Sequence, residues 1–96
     1  MEERIVFRDH AAQQMHLRRI SVAQVRHLLE TGTVIESYPD RWPFPARLLL
    51  GVVAGKTLHV VVADDLRQNE KIIVTVYDPS EDQEGRWDAT FSRRLR

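Results

Sequence analysis

The fold is decided by residues 47–77, which read RLLLGVVAGKTLHVVVADDLRQNEKIIVTVY. Three runs rich in Val, Ile and Leu lie at residues 47–54, 57–63 and 71–77, and such runs are typical of β-strands. Gly55 and Lys56 separate the first two runs, and a two-residue connection that begins with glycine predicts a tight hairpin. The polar residues 64–70 predict a longer turn before the third run. The stretch therefore predicts an antiparallel meander.

The turns also predict which residues lie opposite each other. With turns placed at residues 55–56 and at residue 67, His59 lies opposite Val52 on one side and opposite Thr75 on the other. Directly opposed residues share a face of the sheet. One face is then wholly apolar and comprises Leu49, Gly51, Val53, Leu58, Val60, Val62, Ile72, Val74 and Val76. The other face is mixed and comprises Leu48, Leu50, Val52, His59, Val61, Ala63, Ile73, Thr75 and Tyr77.

Two helices are predicted upstream of the meander. The first runs from about Arg8 to Arg18, a stretch without Gly or Pro. The second follows Ser21, a favoured N-cap residue, and Gln24 three residues later completes a capping box. Gly32 suits the left-handed position that ends many helices. These signals predict a helical hairpin.

A fourth strand is predicted at residues 33–38, which read TVIESY and stop at Pro39. The element order ααββββ predicts an α+β fold. Two N-terminal helices pack on one face of a four-stranded antiparallel sheet, and the C-terminal segment lies on or beside the sheet. Ninety-six residues are enough for one domain, which we expect to span residues 1–96.

The charge of the chain is zero because 14 basic residues balance 14 acidic ones, but the charges are unevenly spread. Residues 57–85 carry a net charge of −5, with an acidic run at 78–84, and residues 86–96 carry +3 from four arginines and one aspartate. A protein that coats nucleic acid by charge alone is excluded, whereas a local basic site is not. No apolar run approaches the roughly 18 residues of a membrane span. We expect a cytoplasmic protein that binds no membrane.

The residue types narrow the chemistry further. The absence of cysteine excludes disulfides and thiolate ligands. The four histidines show no i, i+4 spacing, and the four glycines are isolated, so no metal site and no cofactor-binding phosphate loop is predicted. The acidic residues lie mainly in predicted turns, which disfavours a pair of carboxylates converging in a cleft. His, Tyr, Thr and Arg remain as the candidates for catalysis.

His59 lies in the middle of a predicted strand and therefore needs an explanation. One interpretation is a half-buried histidine bonded to a neighbouring hydroxyl such as that of Thr75. The other is a ligand-facing acid or base close to Tyr77. His10, in the first turn of the first helix, is either a solvent-facing residue or a group that helps to form a pocket. Both alternatives stay open at this point.

Aromatic residues outside the meander offer two further surfaces. Trp87 and Phe91 are four residues apart, which favours a helix docked on the mixed face, and this helix would bring Arg93 or Arg94 to the polar end of that face. Trp42 and its neighbour Phe44 lie in a proline-rich loop. This loop is a hydrophobic plug, a partner anchor or a base-stacking surface.

Residues 7–21, FRDHAAQQMHLRRIS, resemble the opening of a family of small bacterial proteins described as a domain of unknown function. That opening reads roughly Phe-x-x-His-Ala-x-x-Arg-Met-x-x-Arg-Gly-Ile-Ser. The resemblance continues through GTVIE (32–36), LHVV (58–61) and TVYDP (75–79), and ends with Trp87 and Phe91. Two residues depart from the pattern: Gln14 stands where the family has Arg, and Arg19 stands where it has Gly.

The family is similar in size and element order to RelE/BrnT-like toxins, which cut messenger RNA without a metal and are neutralised by an antitoxin. The resemblance implies a RelE-like fold, an antitoxin partner and an RNA or ribosomal target. The residue set that we expect for such a site is catalytic His59, Tyr77 and His10, with substrate bound by Arg93, Arg94, Thr75 and Trp42. The alternative is a non-catalytic module that binds a protein through Trp42, Phe44 and the mixed face of the sheet, or forms a homodimer through an edge strand.

Overall fold

A computed structural model describes residues 3–81 and 87–95. Helices form where apolar residues recur every three or four positions, and strands form where they alternate or run together. Arg86 and Arg96 of the basic end, and Asp82 and Glu84 of the acidic run, lie outside the described residues. The elements are strand β1 (Arg4–Phe7), helices α1 (Asp9–Arg18) and α2 (Val22–Thr31), strands β2 (Thr33–Tyr38), β3 (Ala46–Val53), β4 (Lys56–Asp65) and β5 (Glu70–Tyr77), and a 3₁₀ turn (Pro79–Glu81).

The described strands form one five-stranded sheet in the order β1-β5-β4-β3-β2. The predicted α+β class with two helices is confirmed, but the predicted four-stranded antiparallel sheet is wrong. β1 adds a fifth strand, parallel to β5, so the sheet is mixed. Only four residues long, β1 alternates exposed Arg4 and Val6 with half-buried Ile5 and Phe7. Such a short strand gains its stability from the core it joins.

Both helices cover the same face of the sheet. α1 contributes Ala11 and Met15 to the core, and α2 contributes Val25 and Leu28. The predicted capping box is confirmed: the Ser21 hydroxyl accepts from the Gln24 amide, and the Gln24 side chain accepts from the Ser21 amide. The core contains Ala11, Met15, Ile20, Val25, Leu28, Leu49, Val53, Leu58, Val60, Val62, Ile73 and Val76. Within the part of the chain described, neither helix is long and apolar enough to cross a bilayer.

The left-handed position lies at the end of α1 rather than at Gly32. Gly32 has φ −71°, in extended backbone, so the prediction for it is wrong. It is a glycine for a different reason, because a Cβ there would lie 2.6 Å from the Leu28 carbonyl oxygen. Arg19, at the position where the resembling family has Gly, caps α1 with φ 56°. A non-glycine residue in this region is strained.

Replacing Arg19 by glycine is expected to stabilise the protein by about 1 kcal/mol, because it relieves the left-handed strain. The midpoint of thermal unfolding should rise by roughly 4–8 °C for a domain of this size. The matched control is Arg26→Gly, in the exposed middle of α2, which should destabilise by about 1 kcal/mol. A lower midpoint for Arg19→Gly would contradict the assignment of strain to this residue.

The first hairpin is shifted by two residues from its predicted register. Val53 pairs with Lys56, so the turn consists of Ala54 and Gly55, which have φ 52° and 77°. Two positive φ values define a type I′ turn. His59 consequently lies opposite Leu50. A shift of two keeps every side chain on its predicted face, because side chains alternate with a period of two.

The second hairpin contains a β-bulge that reverses part of the prediction. Val61 pairs with Thr75 and Val62 pairs with Ile73, so Val74 is the extra residue of β5. Beyond the bulge the faces exchange. Ile73 is in the helix-covered core and Ile72 is on the opposite face, the reverse of the prediction.

Candidate functional site

The strand registers bring four polar side chains onto the sheet face that the helices leave uncovered, here called the open face. Leu50, His59 and Tyr77 form one row across β3, β4 and β5. Glu36 belongs to the next row, opposite Leu48. Tyr38 is two residues further along β2 and therefore shares the face of Glu36.

His59 is fully buried and both of its ring nitrogens have partners. Nε2 lies 2.7 Å from the Phe91 carbonyl oxygen, which can only accept, so Nε2 carries the proton and donates. Nδ1 lies 3.0 Å from the Tyr77 hydroxyl, so a neutral ring accepts there from Tyr77. Burial lowers the pKa of His59 and outweighs the hydrogen bond to Phe91. His59 is therefore neutral near pH 7 in this arrangement.

The segment Trp87–Leu95, here called the strap, lies over His59. The predicted helix at Trp87 and Phe91 is wrong, because the strap is irregular, with a bridge between Trp87 and Arg94 and a left-handed Phe91 at φ 60°. The Asp88 carboxylate accepts from the amides of Ser92 and Arg93 and from the Thr90 hydroxyl. Hydrogen bonds to the Asp88 carboxylate and the bridge between Trp87 and Arg94 thus fix the shape of the strap.

Besides the Phe91 carbonyl, the strap contacts the open face through an aromatic ring and a cation. Trp87 is only 8% exposed, and its ring centroid lies 4.4 Å from that of His59 at an interplanar angle of 80°. The Arg94 guanidinium carbon lies 4.6 Å from the Trp87 centroid, within cation–π range. Arg94 Nε and Nη2 also donate to the two carboxylate oxygens of Glu36, at 3.1 and 3.0 Å.

Glu36 also accepts a hydrogen bond from the Tyr38 hydroxyl. The hydrogen bonds from Arg94 hold the pKa of Glu36 below its usual value, against the opposing effect of burial. Burial and the bond to Glu36 raise the pKa of Tyr38 to about 12. Glu36 also raises the pKa of Arg94. At neutral pH the cluster therefore holds an ionised carboxylate, a protonated phenol and a charged guanidinium.

We call His59, Tyr77, Glu36, Tyr38 and Arg94 the His59 site. Of the predicted site residues, His59, Tyr77 and Arg94 come together there. The hydroxyl bonded to His59 is that of Tyr77, whereas the predicted register placed Thr75 opposite His59 and made its hydroxyl one candidate partner.

The remaining predicted residues lie outside this hydrogen-bonded cluster. Thr75 pairs with Val61, one row from His59 on the same face. Arg93 is an exposed residue of the strap, and Trp42 is 87% exposed in the loop after β2. His10 is exposed on α1, whose core residues pack against the other face. The sheet therefore separates His10 from His59.

Glu36 and Tyr38 are the residues that sequence reasoning missed. A signal was present, because two polar residues at i, i+2 in one strand share a face. The sequence did not reveal on which sheet face these two residues lie, because β2 contains an irregularity between Val34 and Glu36 that shifts its pairing with β3. Nothing local to β2 indicates that Arg94, 58 residues away, completes the cluster.

No group of three or more His, Asp or Glu side chains among residues 3–81 and 87–95 is arranged to hold a metal ion. The polar groups of the His59 site are instead paired with one another. In this arrangement both ring nitrogens of His59 are engaged, so the ring can accept a further proton only after the Phe91 carbonyl moves away from Nε2. The site also holds a phenol and a cation.

The fold and the site define a small α+β domain with helices on one sheet face. On the other face a buried histidine is bonded to a half-buried tyrosine, beside a Glu–Tyr–Arg cluster. The chain belongs to the family described as Domain of unknown function (DUF4258), whose model matches residues 7–78, three quarters of the chain. The predicted membership of a domain-of-unknown-function family is thereby confirmed. No curated protein and no solved structure matches the chain significantly. The strap lies outside the matched residues.

Proposed function

We propose that this protein is a metal-independent endoribonuclease of the RelE/BrnT-like toxin class, acting in the cytoplasm and neutralised by an antitoxin. The observation that carries the proposal is the convergence of His59, Tyr77, Tyr38 and Arg94 on one sheet face. These four side chains supply the proton acceptor, the proton donor and the cation that cleavage of a phosphodiester requires. The exposed Trp42 offers a stacking surface for a base.

The reaction begins with His59 as the proton acceptor. Once the Phe91 carbonyl is displaced, the ring proton can sit on Nδ1 and be donated to the Tyr77 oxygen, since a hydroxyl both donates and accepts. Nε2 is then unprotonated and takes the proton from a ribose 2′-hydroxyl. The lowered pKa of His59 keeps it neutral, as this step requires. Tyr77 thus orients the ring.

The remaining groups act on the phosphate. The 2′-oxygen forms a bond to phosphorus and the bond from phosphorus to the 5′-oxygen breaks. The leaving oxygen takes the proton of the Tyr38 hydroxyl, which turns from Glu36 to the leaving oxygen. Solvent then carries a proton from His59 back to the Tyr38 oxygen, which restores both groups. A phenol whose pKa is raised to about 12 is protonated before each turnover. Arg94, assisted by the exposed Arg93, holds the phosphate oxygens. The products are a 2′,3′-cyclic phosphate and a free 5′-hydroxyl.

The Tyr38→Phe variant tests this assignment, because it removes the proton donor and keeps the ring. We expect RNA cleavage to fall by about 10²–10⁴-fold, and induced expression of the variant should be harmless where the wild type arrests growth. Purified protein should cleave RNA in the presence of EDTA and leave cyclic phosphate ends. His27→Ala, on the exposed side of α2, is the control that should keep wild-type activity.

Two results would contradict the proposal. One is equal harmlessness of wild type and Tyr38→Phe together with no cleavage by the purified proteins. The other is cleavage that Tyr38→Phe leaves unchanged. An adjacent reading frame for a small protein that suppresses the growth arrest would identify the antitoxin.

A second candidate function, a non-catalytic interaction module, is favoured by one observation. Trp42 and Leu66 are 87% and 86% exposed, and Leu66 borders a cavity of about 380 Å³ that Phe44 also lines. An exposed tryptophan and an exposed leucine near a concave surface are typical of protein interfaces. If a second copy of the chain docks here, sedimentation should show a concentration-dependent dimer that Trp42→Ala abolishes. A monomer at all concentrations would contradict the docking of a second copy on this surface.

A further inference from the structure

The strap is attached to the open face at three points of different strength. Trp87 is buried against the His59 ring, and the Phe91 carbonyl accepts from His59 Nε2. Arg94 is paired with Glu36, and the two side chains remain 47% and 24% exposed. The ion pair is the attachment that solvent and dissolved ions reach.

The strap covers the atom that the proposed chemistry uses as its proton acceptor. Nε2 is the ring nitrogen of His59 that does not face Tyr77, and it is bonded to the Phe91 carbonyl. His59 is 0% exposed. A substrate hydroxyl therefore reaches Nε2 only after the Phe91 carbonyl has moved away.

The strap is built so that it can move as a unit. The Asp88 carboxylate accepts hydrogen bonds from Thr90, Ser92 and Arg93, which lie within the strap. The Asp88 amide also donates to the Arg93 carbonyl. These bonds join strap residues only, so displacement from the sheet breaks none of them.

We propose that the strap is an autoinhibitory cover of the His59 site, and that a phosphate of a polyanionic ligand releases it by taking Arg94 from Glu36. This inference rests on the proposed function and adds its regulation. Phosphate and carboxylate both match the planar fork of a guanidinium. A half-exposed ion pair is weak and sensitive to salt. Once Arg94 turns to a phosphate, Trp87 loses its stacked cation and the Phe91 carbonyl is free to leave Nε2.

The test follows Trp87 by fluorescence in a Trp42→Phe background, which leaves one tryptophan in the chain. Glu36→Gln in this background removes the negative charge of the Glu36–Arg94 ion pair but keeps the shape of the side chain. We expect a red shift of the Trp87 emission and a several-fold increase in its quenching by acrylamide. A non-cleavable 2′-deoxy-oligonucleotide added to the Trp42→Phe protein, in which Glu36 is intact, should produce the same red shift. This shift should weaken as NaCl is added.

The matched control is Asp64→Asn, again in the Trp42→Phe background. Asp64 accepts from Arg47 at 3.2 Å, with side-chain exposures of 24% and 33% that resemble those of the Glu36–Arg94 pair. Asp64 also lies 3.6 Å from Lys71 Nζ, so this change weakens at least as many charge contacts as Glu36→Gln does. It should nevertheless leave the Trp87 emission unaltered. A shift in both variants would mean that the fluorescence reports general loosening, and it would overturn the proposal.

RNA cleavage by the same proteins tests the cover by the strap separately from the endoribonuclease activity. Exposure of Trp87 together with faster cleavage by Glu36→Gln supports the cover. Unchanged quenching in Glu36→Gln overturns it, and so does exposure of Trp87 without faster cleavage in a protein that cleaves RNA. Exposure of Trp87 with no cleavage by either protein overturns the endoribonuclease itself, and leaves the ion pair as the attachment of the strap.

Discussion

Replacing His59 by alanine is expected to lower the free energy of unfolding by about 3–5 kcal/mol, measured by urea denaturation. The side chain is fully buried, and its removal leaves a cavity. It also removes the hydrogen-bond partner of the Phe91 carbonyl and a partner of the Tyr77 hydroxyl. A buried group left without a partner costs about 1–3 kcal/mol. The edge of Trp87 loses its packing as well.

Two variants separate these contributions. His59→Phe fills the volume but makes no hydrogen bonds, so it should cost about 1–3 kcal/mol. His16→Ala removes an exposed histidine of α1 and should change the stability by less than about 0.5 kcal/mol. If His59→Ala costs no more than His16→Ala, the strap does not bury His59 in solution.

The pH dependence of stability gives the same variants a second measurement. Because burial lowers the pKa of His59 below 6.5, the native state binds fewer protons than the unfolded state just below that pH. The contribution of His59 is thus fully present above about pH 6.5 and is lost as the pH falls towards its folded pKa. The slope for one proton is at most about 1.4 kcal/mol per pH unit. His59→Phe should lose this part of the slope, whereas His16→Ala should keep it.

Leu28→Ala is the second change with a large expected effect, a loss of about 2–5 kcal/mol. Leu28 is 1% exposed and fills the space above Gly51, where α2 crosses β3. A Cβ at residue 51 would lie 2.7 Å from Leu28 Cγ. Gly51→Ala alone is therefore expected to cost about 1–3 kcal/mol through overpacking. Thermal and urea unfolding measure both losses.

The two changes should compensate when they are combined, because alanine at residue 51 partly fills the space that Leu28→Ala empties. The double variant should be more stable than the sum of the single losses predicts. Leu17→Ala, at a leucine that is 73% exposed on α1, is the control and should cost less than about 0.5 kcal/mol. Strict additivity of the two core changes would contradict the close contact of α2 with β3.

Short-range signals predicted the helices and the four longer strands. Ser21 with Gln24 predicted the start of α2 from one local exchange of hydrogen bonds. The faces of β3 and β4 survived a two-residue error in register, because alternation depends only on parity. The bulge at Val74 was not predicted, since Ile72, Ile73 and Val74 form an unbroken apolar run in which each residue suits either face.

The sequence by itself determined the class of fold, the membership of the family, and His59 with Tyr77 as polar residues of one sheet face. The class of fold and the shared face depend on periodicity and local capping, which act over a few residues, whereas the family membership came from the resemblance of motifs such as residues 7–21. Only the tertiary structure decided that β1 joins the sheet through parallel pairing, and that the strap places Phe91 and Arg94 against His59 and Glu36. Contacts between residues 32 and 58 positions apart depend on the packing of whole elements, so no local pattern encodes them.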